Sequence, residues 1–359
     1  MTSGATRWPV REALPEIRID PLSGRRTIIA DERSRRPGGA PGLPPALLAS
    51  EPIDPADDPF AEGNEDRTPP EICARRLGGG PPDSRGWQVR VVPNLYPALA
   101  PAPAAGDRAS PGPARPPGEA SRGGASADEL FASRPASGAH EVIINGPQPV
   151  YSLAELPLEQ VVAATEVWRE RMRAHADNAC VQLIVNERRE AGASLPHTHA
   201  QLYALDLVPA VVARERERFG AYADRTMGQN LLEDLVAEEV RRRERIVAID
   251  DEAVLLAPYA SRLPFELMLV PRVPRARFEE EGPSGATLLH DGLRRLARHL
   301  GASPPLNMWV RTAPQGAEHF CWHIDVLPRL THLAGLELST GVNLNIVSPE
   351  QAAAALREA

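Results

Sequence analysis

The sequence predicts an α+β protein in which one unit, an antiparallel sheet with a packed helix, is built twice. Two observations carry that prediction. Strand-like runs with period-2 alternation flank long amphipathic helical stretches, and landmarks in the two halves keep nearly one spacing. Glu141 to Ile144 matches Glu266 to Leu269 at an offset of 125. Gln182 to Asn186 matches Asn307 to Arg311 at 125, and Pro196 to His199 matches Trp322 to Asp325 at 126. On this alignment Asp325 stands where the first copy has His199, so one reactive histidine and one active site are expected per chain. The expected division is residues 1–208, carrying the nucleophile, and 209–359, without one.

Taken in order, Arg18 to Pro37 reads as a turn at Pro21–Gly24, a strand through Thr27, Ile28 and Ile29, and an arginine cluster that includes Arg33. By charge alone that cluster reads as a solvated surface. Residues 38–70 are rich in Pro, Gly and Asp and read as loop. Trp87 to Val92 alternates like a strand and runs into Asn94 between Pro93 and Pro97, a turn position on those grounds. Residues 99–138 are poor in bulky apolar side chains and read as a flexible insertion. A strand starts at His140; Ser152 and Glu155 suggest a capping box before a helix over 156–174. Val181 to Val185 is a strand. Residues 209–246 are helical and charged, with Glu215 near the start. Strands over 246–254, 265–270 and 307–310, a helix over 286–300, a strand around His323 and a helix over 349–358 complete the chain.

Composition narrows the function. At 359 residues with 42% hydrophobic side chains, the chain can bury a large core. Aromatics are 4%, too few for a base-stacking platform, and a net charge of −8 with both signs interspersed does not coat a polyanion, so no nucleic-acid partner is expected. Three separated cysteines, Cys73, Cys180 and Cys321, give no disulfide framework and fit a reducing cytoplasm. Residues 1–18 lack the apolar core of a secretory signal, and no apolar run approaches the roughly 20 residues that cross a bilayer. A cytoplasmic protein without a membrane partner is expected.

The stretch with chemistry in it is Ser194 to Gln201. On an extended strand His197, His199 and Gln201 would share one face, since side chains two apart point the same way. An imidazole serves as nucleophile, base or metal ligand near neutral pH, and a glutamine can hold a non-bridging oxygen or a neighbouring ring. An isolated His-x-His in a polar loop is usually an accident of composition; the rest of the chain decides.

The run SLPHTHAQ resembles the His-x-His-x-Gln signature of the galactose-1-phosphate uridylyltransferase branch of the histidine triad superfamily. RIDPLSGRRTIIADERSRRP resembles that family's N-terminal segment, and DPFAEGNEDRTPPE its Cys-Pro-Phe-Cys-x-Gly-Asn-Glu segment. VRVVPNLYPAL, LPFELMLVPR and WHIDVLPRLTHLAGLELSTG also have counterparts, so the resemblance spans nearly the whole chain outside 99–138. It implies tandem histidine-triad-like repeats and a homodimer. It also implies a ping-pong nucleotidyl transfer between a nucleotide sugar and a sugar 1-phosphate, most simply UDP-glucose and galactose 1-phosphate. His199 would attack the α-phosphorus, with Gln201 on an α-phosphate oxygen, His197 orienting the site, and Ser194 and Asn186 as further donors. Asn94 and Arg33 match positions near the nucleotide.

Two departures stand out. Asp58 and Ala61 occupy the cysteine positions of the segment that binds structural zinc in many relatives, leaving His140 and His197. Asp58, His140 and His197 are therefore weak zinc candidates, and no cofactor is expected to be required. At a second metal set Glu215 and His323 remain, while Arg311 and Asp325 fill the other positions. The tail resembles that of ADP-glucose phosphorylase, which leaves an ADP-sugar phosphorylase using inorganic phosphate as the rival activity. A hydrolase, in which water resolves the intermediate, and a non-catalytic nucleotide-binding protein are the further readings.

Overall fold

The computed structural model describes residues 14–35, 42–48, 50–101, 131–280 and 282–359. Most of the expected insertion, residues 102–130, lies outside them. The fold is α+β, as expected. Ten strands form one sheet: β3 (Cys73–Arg75), β4 (Val89–Pro93), β5 (Gly138–Ile144), β6 (Cys180–Glu187), β7 (His199–Leu205), β8 (Ile246–Ile249), β9 (Ala253–Leu256), β10 (Leu267–Pro271), β11 (Leu306–Arg311) and β12 (His323–Pro328). Their spatial order is β3-β4-β5-β7-β6-β11-β12-β10-β9-β8, and every pairing is antiparallel. Read inward from either edge the sheet has one plan, and the halves join where β6 meets β11.

The registers of β6 with β7 and of β11 with β12 shift one landmark match. Val185 pairs with Ala200, which sets the next residue, Asn186, across from His199. Arg311 pairs with His323. Matching Asn186 to Arg311 therefore matches His199 to His323, an offset of 124, and not to Asp325. The backbone agrees: His199 Nδ1 donates to the carbonyl two residues earlier (His197 O, 2.8 Å), and His323 Nδ1 lies 3.2 Å from Cys321 O. A two-residue slide keeps every side chain on its own face, so pattern matching could not detect it.

One face of the sheet carries the core. Ala200, Leu202 and Ala204 of β7 and Leu183 and Val185 of β6 pack with Val161, Ala164, Trp168 and Met172 of the helix Leu158–Ala174. In the second half Met308, Val310, Ile324 and Val326 pack with Leu289, Leu293 and Leu296 of the helix Ala286–Leu300. The opposite face bears the polar side chains and a smaller cluster of Phe60, Trp87, Val92, Val142 and Ile144.

Elsewhere the chain departs from expectation in ways that have causes. Ser152 caps a single 3-10 turn, Leu153–Glu155, because Pro157 separates that turn from the long helix. The charged helical stretch is two helices, Ala210–Thr226 and Leu231–Arg242, broken where Met227 turns left-handed (φ 58°) beside Gly228. Residues 246–254 are not one strand, since β8 and β9 form a hairpin. A small second sheet of β1 (Glu16–Ile19), β2 (Arg26–Ile29) and β13 (Asn343–Asn345) ties the N-terminal segment to the tail, with β13 parallel to β2.

Leu202 is fully buried on the core face of the strand that presents the candidate site. Leu202→Ala should lower unfolding free energy by about 2–5 kcal/mol, the usual cost of emptying such a position, as read by urea denaturation.

Candidate functional site

β7 begins at His199, so one face carries His199, Gln201 and Tyr203. His197 does not share it. The chain bends through residues 194–197, where Pro196 has no N–H to give a ladder, and the His197 ring is fully buried. His197 Nε2 donates to Gly146 O (2.8 Å), and Nδ1 shares a hydrogen bond with Asp58 Oδ2 (2.6 Å). Asp58 Oδ1 accepts from Phe60 N at 3.0 Å. This chain of contacts ties the loop before β3 to the motif and sets the Phe60 ring edge-on to His199, 5.2 Å between centroids.

His199 is 5% exposed. Its Nδ1–H is committed to the His197 carbonyl, so Nε2 carries the lone pair. Burial lowers its pKa below the ordinary 6.5, outweighing the bond to the His197 carbonyl, so the ring is neutral at pH 7. It opens on a cleft of about 470 Å³ whose walls include Phe60, Asn94, His140, Ser194 and Gln201. Gln201 Oε1 lies 3.0 Å from His140 Nε2 and accepts from Tyr203 OH (3.0 Å). Asn94 Oδ1 accepts from Tyr96 N (2.9 Å), and its Nδ2 lies 3.1 Å from His140 Nε2. Ser194 is exposed at the mouth.

The structure thus gathers His199, Gln201, Asn94 and Ser194, with His197 directly behind the wall. Asn186 sits across from His199 on β6, and its Oδ1 accepts from Asn307 Nδ2 across the β6–β11 junction (2.8 Å). Arg33 lines a separate concavity with Arg18, Asp31 and Glu350. Sequence reasoning did not single out Phe60, Tyr203 or Glu187. Tyr203 was readable, being one more step along the His199–Gln201 alternation. Phe60 lies within the DPFAEGNE segment that the resemblance already marked, while Glu187 reaches the site from the neighbouring strand β6, where no local signal marks it.

The zinc candidates do not fit a zinc site. Asp58 and His197 are engaged with each other, with Gly146 and with Phe60, while His140 is bonded to Gln201 inside the cleft. The second donor set does not fit a cation either, because the Arg311 guanidinium sits on it, with Nε 2.9 Å from Glu215 Oε2. Asp325 faces Arg262 at 3.5 Å. Among the described residues no three His, Cys, Asp or Glu side chains gather as metal ligands, and no helix is long and apolar enough to cross a membrane.

Comparison with known proteins places this geometry. Residues 88–209 match the family model of the galactose-1-phosphate uridyl transferase N-terminal domain, and residues 160–358 match a domain family of unknown function (DUF4921). A galactose-1-phosphate uridylyltransferase of Haemophilus influenzae is 30% identical over 247 residues, 65% of this chain and 70% of the relative. The chain belongs to the galactose-1-phosphate uridylyltransferase family. Other members align almost end to end. ADP-glucose phosphorylase of Arabidopsis thaliana is 26% identical over 97% of this chain and 94% of its own. A uridylyltransferase of Cryptococcus neoformans is 28% identical over 95% and 89%. The crystal structure of the Arabidopsis ADP-glucose phosphorylase with bound ADP-glucose superposes with a TM-score of 0.73 at 25% identity, covering 96% of this chain and 99% of that one. The chain is therefore a nucleotidyltransferase or phosphorylase of this family.

Two titrations check the site. His199 should stay neutral to lower pH than an ordinary histidine, so its imidazole signals, followed by NMR, should shift only below pH 6.5. Glu187 is wholly buried; its Oε1 accepts from Leu153 N (2.7 Å) and lies 3.4 Å from Thr198 Oγ1 in the motif. Burial raises its pKa from 4.5 to about 7. The folded state therefore holds this proton more tightly than the unfolded chain, a stabilisation fully present below pH 4.5 and lost as pH rises to about 7. That slope is worth about 3 kcal/mol, and Glu187→Gln should abolish it in denaturation curves measured across the window.

Proposed function

We propose that the chain transfers a nucleotidyl group between a nucleotide sugar and a phosphate acceptor through a covalent intermediate on His199. In the first half-reaction His199 Nε2 attacks the α-phosphorus. A P–N bond forms, the bond from that phosphorus to the bridging oxygen breaks, and the sugar 1-phosphate leaves with the bond's electron pair. In the second half-reaction a phosphate oxygen of the acceptor attacks the same phosphorus and the P–N bond breaks, returning neutral His199. The observation that carries this reading is the arrangement at Nε2: a lone pair fixed by backbone, facing a cleft with the carboxamides of Gln201 and Asn94 on its wall. Carboxamide N–H groups suit the charge that develops on the α-phosphate oxygens. Ser194 at the mouth adds a hydroxyl donor.

UDP-glucose and galactose 1-phosphate are the proposed pair, which suits the uridylyltransferase relatives. An adenylyl transfer from ADP-glucose to inorganic phosphate is the second reading, favoured by the near end-to-end match with ADP-glucose phosphorylase. The roles proposed for the chain's own side chains need no metal.

Intact mass spectrometry after mixing with UDP-glucose, or separately ADP-glucose, with a mildly alkaline quench tests both. The expected result is a mass gain of one UMP or one AMP, absent in His199→Ala, and the nucleotide that loads names the base. A folded protein that gains no mass with either sugar would sink the transferase reading.

A further inference from the structure

The cleft wall contains a contact that the proposed reaction does not by itself explain. His140, 8% exposed, stacks on Tyr203 with ring centroids 4.1 Å apart, and its two nitrogens meet three groups. Nδ1 lies 3.1 Å from Ala98 N. A backbone N–H can only donate, so Nδ1 must hold the lone pair and the neutral ring carries its proton on Nε2. That Nε2–H then donates to Gln201 Oε1. The Tyr203 hydroxyl donates to the same oxygen, so both lone pairs of the Gln201 carbonyl are used and the amide cannot turn over. A second backbone donor, Tyr96 N–H on Oδ1, fixes Asn94 in the same way. The Asn94 Nδ2 contact with His140 Nε2 therefore joins two donors and is no hydrogen bond. Among the described residues no protein group accepts from Gln201 Nε2 or Asn94 Nδ2.

We propose that His140 is a positioning residue: as the Nε2–H tautomer it locks Gln201 oxygen-inward. Gln201 and Asn94 then present two N–H donors to one phosphate oxyanion in the cleft. The unrelieved donor pair is satisfied when a ligand oxygen accepts from these amides, so the site is built for an anion before the anion arrives. This rests on the nucleotidyl-transfer reading for its substrate, though not for its geometry.

Three variants read it through turnover. His140→Phe keeps a ring against Tyr203 but loses the Nε2–H, freeing Gln201 to turn its oxygen toward the phosphate. The expected result is a fall in kcat of roughly ten- to a hundredfold with a smaller change in KM, since an oxyanion donor acts mainly in the transition state. His140→Gln brings an amide N–H to the same point and should recover most of that loss. In a Gln201→Ala background His140→Phe should cost nothing further, because its effect runs through Gln201. A kcat unchanged in His140→Phe, or an undiminished fall in the Gln201→Ala background, would overturn the proposal. The wild-type protein supplies a readout independent of turnover and of variant folding: nitrogen NMR of 15N-histidine-labelled protein should place the His140 proton on Nε2. A proton on Nδ1 would overturn the arrangement. Loss of the UMP or AMP adduct from wild type with the Nε2–H tautomer intact would instead fault the transfer reading alone.

Discussion

His199 offers a usable lone pair only while its Nδ1–H is held by the His197 carbonyl, and most of the surrounding structure serves that one hydrogen bond. The carbonyl is in place because His197 is itself pinned, by Asp58 on one side of the ring and Gly146 on the other. Asp58 in turn fixes the turn that carries Phe60 against His199. Beneath the motif, Thr198 N donates to Val150 O and Asn145 Nδ2 donates to Thr198 Oγ1, so the residue between the histidines is anchored to the loop that follows β5. A side chain with several rotamers and two tautomers is reduced to one of each. Such restriction is what a nucleophile needs if its attack geometry is to be set before the substrate binds.

The second half of the sheet shows what that frame yields without a cleft. His323 occupies the ladder position of His199, lies over a carbonyl two residues back in the same way, and is equally buried. Around it Arg262 pairs with Glu266 and Asp325, Arg311 pairs with Glu215, Arg25 lines the same wall, and the remaining space is about 40 Å³. That holds a water or two, not a nucleotide sugar. The difference between the halves lies less in the histidine than in what fills the concave face beside it. Arginine suits this filling, since its planar fork can pair with two carboxylates at once, as Arg262 does with Glu266 and Asp325.

The same economy shows at Asp58. A carboxylate against an imidazole joins a loop to the motif with one short contact, both side chains being fully withdrawn from water. Such a pair holds position when both partners keep their other hydrogen bonds, and here both do. His140, spared from any such pairing, is left to the cleft wall.

Much of this is legible in the sequence. Residue spacing marked β5, β6, β7 and their partners, because a half-buried strand must alternate, and it marked His199 and Gln201 on one face for the same reason. The sequence could not show which of two residues, His323 or Asp325, answers to His199, since period-2 patterning is blind to a slide of two. Nor could it show that His197 turns away from the strand, that His140 joins Gln201 and not Asp58, that the Asn186 carbonyl is taken by Asn307, or that Arg33 stands apart from the cleft in the single chain. Those outcomes depend on carbonyls and amides brought together from distant parts of the chain: Gly146, Ala98, the turn at Asp58. Local sequence determines which way a side chain can face; only the packed backbone decides which hydrogen-bond partner is waiting there.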